Sequence, residues 1–202
     1  MATVHLVPSF HYDLEYLLSE GPYLEISFRN LLEAHRLLTK HADYTFRAEQ
    51  VYLLERFFGE YPSLTEDFRR FSQEQRFEVA AGMYTMADFN MAGGESLIRQ
   101  MVTGKRWCQE VLGTLPRVLD VGDCTGQTAQ MPQIARICGY DYITFERAVD
   151  DVGRKCEIRW KGIDESEIPT YWLAVGGYAG WGYLKDEDHA VRLLPDLIKQ
   201  LQ

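Results

Sequence analysis

Short apolar runs and helix-period segments take turns along nearly the whole of this chain, and that alternation limits its fold more than any other feature. Residues 4–7 (Val-His-Leu-Val) read as a strand closed by Pro8. From Leu24 onward, Phe28, Leu31, Leu32 and Leu38 recur at helical spacing. Residues 44–47 alternate as a strand does, and 49–58 return to a helix. Ser63-x-x-Glu66 has the form of a capping box, opening a helix with Leu64, Phe68 and Phe71 on one face. Further strands are predicted at 77–81, 117–121, 142–145, 157–161 and 170–175. Further helices are predicted at 96–112, stopped by Gly113, at 130–138, stopped by Gly139, and at 187–201.

Strands that alternate with helices pair in parallel through right-handed crossovers. Two α/β architectures satisfy this, an open doubly wound sheet and a closed barrel. Both gather their chemistry in the loops beyond the carboxyl ends of the strands. With 202 residues and neither repeats nor a linker, the chain reads as a single domain over 1–202. A net charge of −9, with no cluster of Lys and Arg, argues against a nucleic-acid partner. No apolar run reaches the roughly 18–20 residues of a membrane span. The N-terminus has neither the basic nor the apolar region of a secretion signal, so a cytoplasmic location is expected. Cys108, Cys124, Cys138 and Cys156 are scattered without a C-x-x-C pair, which argues against a disulfide framework and a cysteine zinc site.

The strand ends hold the candidates. Ser9-Phe10-His11-Tyr12-Asp13 places an imidazole and a carboxylate on one side of an extended segment, where both could meet one ion. A His and an Asp satisfied by nearby backbone have the same spacing. Asp88 could line a cleft or cap a turn, and Glu95-Ser96 suit the start of a helix. "RVLDVGDCTGQTAQMPQ" (117–133) nearly has the acid-x-Gly-x-Gly-x-Gly turn of an S-adenosylmethionine-dependent methyltransferase. Cys124 replaces the middle glycine, however, and Asp123 adds a carboxylate at the tip. Glu146-Arg147 follow the next strand. One His among several carboxylates suits a metal better than a phosphate.

Taken together and in order, these segments resemble the N-terminal catalytic domain of glycoside hydrolase family 38, the zinc-dependent retaining α-mannosidases, in its bacterial type. "PSFHYDLEY" resembles the family's His-x-Asp segment, which implies His11 and Asp13 as zinc ligands. "AAGMYTMADFNMAGGESLIRQMVTGKR" resembles the stretch that places an Asp, here Asp88, in the substrate cleft. "DVGDCTGQTAQMPQIARICGY" resembles the Asp-x-Phe-Gly segment, so Asp123 inherits two implied roles, ligand and nucleophile. "ITFERAV" implies Arg147 as a residue lining the site.

The resemblance implies a (β/α)-barrel-like fold with parallel strands and helices outside, here an incomplete seven-stranded barrel. The implied activity is retaining, zinc-assisted hydrolysis of α-mannosidic bonds in a mannose-containing oligosaccharide or glycoside. Two alternatives stand beside it: a metal- or sugar-binding fragment without activity of its own, and the methyltransferase. The sequence departs from the family pattern at Tyr16 and Met83, where Trp is common, at Glu146, which replaces an aromatic, and at Gln127. The family's fourth ligand, a His, and its general-acid Asp belong to sequence beyond this C-terminus. His189, among charged residues, reads as solvated surface. An incomplete barrel exposes a strand edge, so self-association or a partner chain covering that edge is expected.

Overall fold

The computed structural model describes residues 7–11, 13–147 and 156–173, with single helical positions between 188 and 199. The predicted strand at 4–7 falls almost wholly outside the described residues, as does most of the helix predicted at 187–201. The elements run α1 (Glu20–Lys40), β1 (Phe46–Gln50), α2 (Val51–Glu60), a 3-10 turn (Pro62–Leu64), α3 (Thr65–Gln73), β2 (Phe77–Met83) and α4 (Gly94–Trp107). They continue with a π-helical turn (Cys108–Leu112), β3 (Val118–Val121), α5 (Met131–Ile137), β4 (Tyr142–Phe145), β5 (Glu157–Lys161) and β6 (Glu167–Trp172).

The α/β class with parallel strands is therefore as expected, but a closed barrel is not formed among the described residues. Strands β1 and β2 form one parallel pair, and a second sheet has the order β3-β4-β6-β5. Strand β2 packs beside β3 without a ladder. At that seam Pro116 lies against Gly82, whose φ is +56°, and the Tyr140 hydroxyl donates to the Ala81 carbonyl at 2.7 Å. A proline ring and a phenol thus occupy space that strand hydrogen bonds would need. The last strand begins at Glu167, earlier than predicted, and β5 runs antiparallel to it. The connection at 162–166 is a tight turn, and a turn that short returns the chain only antiparallel.

Two local expectations also change. Ser63 lies inside the 3-10 turn, and α3 starts at Thr65 with no side-chain cap, so the capping box is not formed. The helix predicted at 96–112 leaves α geometry after Trp107, and Gly113, at φ +74°, ends it as expected. Arg69 satisfies carbonyls of that last turn, donating to Val111 O at 2.8 Å and Glu110 O at 3.2 Å.

Strand alternation sends apolar side chains outward, under the helices. Phe46, Ala48, Phe77 and Val79 join Leu31, Leu54, Phe57, Phe68 and Phe71 in one core beneath α1, α2 and α3. Leu119, Val121, Ile143 and Phe145 join Leu97, Met101 and Ile134 in a second core beneath α4 and α5. The opposite strand faces carry Arg47, Glu49, Asp120 and Thr144. The sheets are thus dry on the helix side and charged on the other.

Helix α4 rests directly on the end of β2. A Cβ on Gly104 would lie 2.2 Å from the Gly82 carbonyl oxygen, a backbone atom that cannot swing aside. Gly104→Ala should therefore cost at least about 2 kcal/mol of stability, measured by urea unfolding, by forcing helix and strand apart. An unchanged midpoint would mean that α4 does not approach β2 this closely.

Candidate functional site

The segment at 7–11 lies beside β1, with the Arg47 amide donating to Pro8 O at 2.9 Å and Ser9 bridging Arg47 in parallel. This carries His11 and Asp13 past the carboxyl end of β1. Asp123 stands two residues beyond β3 and Arg147 two beyond β4, while Asp88 lies in the loop after β2. An open cleft of about 580 Å³ collects all five, with Tyr16 at its rim.

His11 Nε2 is 3.3 Å from Asp123 Oδ2 and 3.8 Å from Asp13 Oδ1. One donor atom from each of His11, Asp13 and Asp123 falls within a 4.8 Å group. One imidazole nitrogen and two carboxylate oxygens form a donor set that suits zinc. On the far side of the ring, His11 Nδ1 is 2.7 Å from Glu49 Oε2. Arg147 pairs through Nε with the other oxygen of Asp123.

The polar contacts continue inward. Arg47 lies 3.9 Å from Glu49 Oε1 and 2.5 Å from Asp120 Oδ2, and the Thr144 hydroxyl donates to Asp120 Oδ1. The side chains of Glu49 and Asp120 are only 3% and 1% exposed. Burial would by itself lower the His11 pKa, but the Glu49 hydrogen bond and the carboxylates of Glu49, Asp123 and Asp13 outweigh it and hold it above its ordinary value. Burial likewise lifts the Glu49 carboxyl above the usual range, against the opposing pull of His11.

The loops that carry Asp88 and Asp123 are tied to each other. Cys124 Sγ donates to Ala87 O at 3.0 Å, Thr125 donates to Asp88 Oδ2 at 2.9 Å, and Asn90 presses on Gly126. Burial pushes the Cys124 thiol up to about 12, so it remains a protonated donor and no thiolate ligand. Asp88 lines the cleft and caps its turn at once, because Oδ1 accepts from the amides of Asn90 (3.0 Å) and Met91 (3.3 Å). These amides and Thr125 hold its carboxyl below the usual carboxylate range.

A family model, the glycosyl hydrolases family 38 N-terminal domain, matches residues 1–200. The chain belongs to that family. It is 22% identical over 187 residues to alpha-mannosidase 2C1 of Mus musculus, covering 91% of this chain and 18% of that protein. It is 29% identical to the alpha-mannosidase of Saccharomyces cerevisiae over 102 residues, 49% of this chain and 9% of that one. Among solved structures, an alpha-mannosidase from Enterococcus faecalis V583 superposes with a TM-score of 0.84 at 19% identity, over 96% of this chain and 22% of the other. A 4-alpha-glucanotransferase from Thermococcus litoralis shares the fold at a TM-score of 0.71 and 12% identity, over 95% of this chain and 30% of that one. The chain thus spans less than a fifth of the length of the curated relatives it matches.

Within this family-38 domain, His11, Asp13, Asp88, Asp123 and Arg147 line one cleft. Met83, at a position where Trp is common, is fully buried in the core, whereas Tyr16 is 74% exposed at the cleft. Glu95 pairs with Arg99 on the surface of α4, the helix-start role. His189 contacts Arg192 at 2.9 Å in an exposed position. Sequence reasoning missed Arg47, Glu49 and Asp120. The available signal was three charged residues inside runs otherwise patterned as strands, "FRAEQV" and "VLDV".

Arg47 is the cation that both buried carboxylates face. Arg47→Met should cost about 3–5 kcal/mol in urea unfolding, because Asp120 and Glu49 lose their buried counter-charge. Adding Asp120→Leu should restore a large part of that loss. A near-neutral single variant would mean that water reaches the network.

Proposed function

We propose that this domain is the metal-binding, nucleophile-bearing portion of an α-mannosidase-like glycoside hydrolase, with the described strands forming an arc of an incomplete (β/α) barrel. His11, Asp13 and Asp123 would hold the ion. The observation that carries this reading is their meeting in one cleft, with Arg147 on the free side of Asp123. Zinc, when bound there, would supply a positive charge and a fixed point for sugar hydroxyls.

Asp123 is the nucleophile in this reading, and Arg147 holds its carboxylate toward the cleft. Attack of that carboxylate at the anomeric carbon forms a glycosyl-enzyme bond as the leaving oxygen takes a proton, and water then releases the sugar with retained configuration. Asp88 is poorly suited to supply the proton. Its amide contacts and Thr125 favour the charged form, whereas a general acid needs its pKa raised. Asp88 serves instead as a hydroxyl acceptor beside Tyr16. The four free cysteines accord with a reducing, cytoplasmic setting.

A second reading keeps binding and drops turnover by this chain alone. It is favoured by the unsuitability of Asp88 as an acid. Metal content comes first. After dialysis against metal-free buffer, elemental mass spectrometry should find about one zinc per chain, lost in His11→Ala and Asp13→Asn. A chain that retains no zinc would sink the metal site. If a chromogenic α-mannoside is hydrolysed, Asp123→Asn should abolish the activity; zinc without hydrolysis would select the second reading.

A further inference from the structure

Three groups to which the proposed function gives no role have unusual surroundings: the Arg47–Asp120 pair, the buried Glu49, and the Gln127 amide. Gln127 has both amide atoms buried, but no group in reach identifies a ligand for it. The Arg47–Asp120 pair is not part of the cleft lining. Glu49 is different, because it touches a residue of the cleft.

We propose that Glu49 is the positioning residue for His11, fixing the ring so that its Nε2 lone pair faces the space between Asp13 and Asp123. This rests on the metal-site reading above. In the neutral imidazole one nitrogen carries the proton and the other the lone pair, and only the latter can bind a cation. With Glu49 ionised, the short contact from Nδ1 to its Oε2 favours the tautomer that carries the proton on Nδ1, which leaves Nε2 as the donor on the side of Asp13 and Asp123. A carboxylate behind a ligand histidine also raises the basicity of that ligand.

Glu49 is itself held. Its side chain is 3% exposed, and Arg47 stands 3.9 Å from its other oxygen. Arg47 is fixed in turn by Asp120. Ring orientation is therefore anchored through β1 to β3. The charges agree with this role. Glu49, Asp120, Asp13 and Asp123 bring four carboxylates around His11, and only two guanidiniums, those of Arg47 and Arg147, face them.

The test is calorimetric titration of zinc into the metal-free chain and into Glu49→Gln and Glu49→Ala. Glu49→Gln keeps an acceptor for the Nδ1 proton but removes the charge, so it should bind zinc less tightly than the natural chain. Glu49→Ala should lose about 10–100-fold. Nitrogen-15 spectra of the zinc-loaded, histidine-labelled chain should show a slowly exchanging Nδ1 proton that His11→Gln removes. That proton should persist in Glu49→Gln and exchange freely in Glu49→Ala, a change that a purely structural role for Glu49 would not produce. Should Glu49→Ala fail to fold, Glu49→Leu, which fills the same space without an acceptor, takes its place. Undiminished zinc affinity together with a still-protected Nδ1 proton in Glu49→Ala or Glu49→Leu would overturn the role of Glu49 while leaving the metal site intact. No zinc binding by the natural chain would overturn both.

Discussion

The ion pair between Arg47 and Asp120 joins two sheets that share no ladder. Arg47 lies on β1 and Asp120 on β3, with β2 between them. A guanidinium suits this place because its planar fork serves several acceptors at once: Asp120, Glu49 and the Ser9 hydroxyl at 3.5 Å. A lysine ammonium would satisfy one of them well and leave another carboxylate buried without a cation. The pair is costly in desolvation, and such pairs add little net stability over an apolar substitute. What it supplies is position. It fixes β3 relative to β1, and so fixes the turn bearing Asp123 relative to the segment bearing His11.

The cleft inherits its geometry from this arrangement and its rigidity from contacts between loops. Cys124 and Thr125, consecutive in the loop after β3, both bond to the loop after β2. Cys124 therefore occupies a glycine's place in the motif for a local reason, since its Sγ reaches the Ala87 carbonyl. Gly126 has an equally local reason, because Asn90 leaves no room for a Cβ there. The turn that resembles a cofactor loop is in this fold the seam between two strand-end loops, and Asp123 is the group it presents.

Most elements with a one-sided apolar pattern were legible in the sequence. The strands β4 and β5 fall where alternation put them, and Gly113 and Gly139 end their helices with positive φ. The capping box was misread because Pro62 and Leu64 wind a 3-10 turn through Ser63, so its backbone lies within that turn and not at the cap of α3. The antiparallel β5–β6 hairpin was missed because parallel order was extrapolated along the chain, whereas the short turn at 162–166 decides it. In the cleft, residues near one another in sequence were legible and residues linked only through space were not. His11 and Asp13 announce themselves by spacing. Glu49 looks like the start of a helix until His11, 38 positions away, is placed against it.

A charged interior needs apolar material elsewhere to offset its cost, and the aromatic inventory of this domain shows where that lies. Phe57, Phe58, Phe68, Phe71 and Phe77 interlock in edge-on and tilted contacts, with ring centroids 4.8–6.1 Å apart. Such contacts contribute about 0.5–1.5 kcal/mol each beyond the area they bury. They lie on the helix side of β1 and β2, and the opposite face of β1 carries Arg47 and Glu49. Strand alternation thus lets one five-residue strand serve both purposes, Phe46 and Ala48 facing the aromatic core while Arg47 and Glu49 face the charged side behind His11. A one-residue slip of β1 would bury the charges in the aromatic core and turn Phe46 and Ala48 toward the site. The register that makes the domain stable is therefore the register that brings Glu49 to His11.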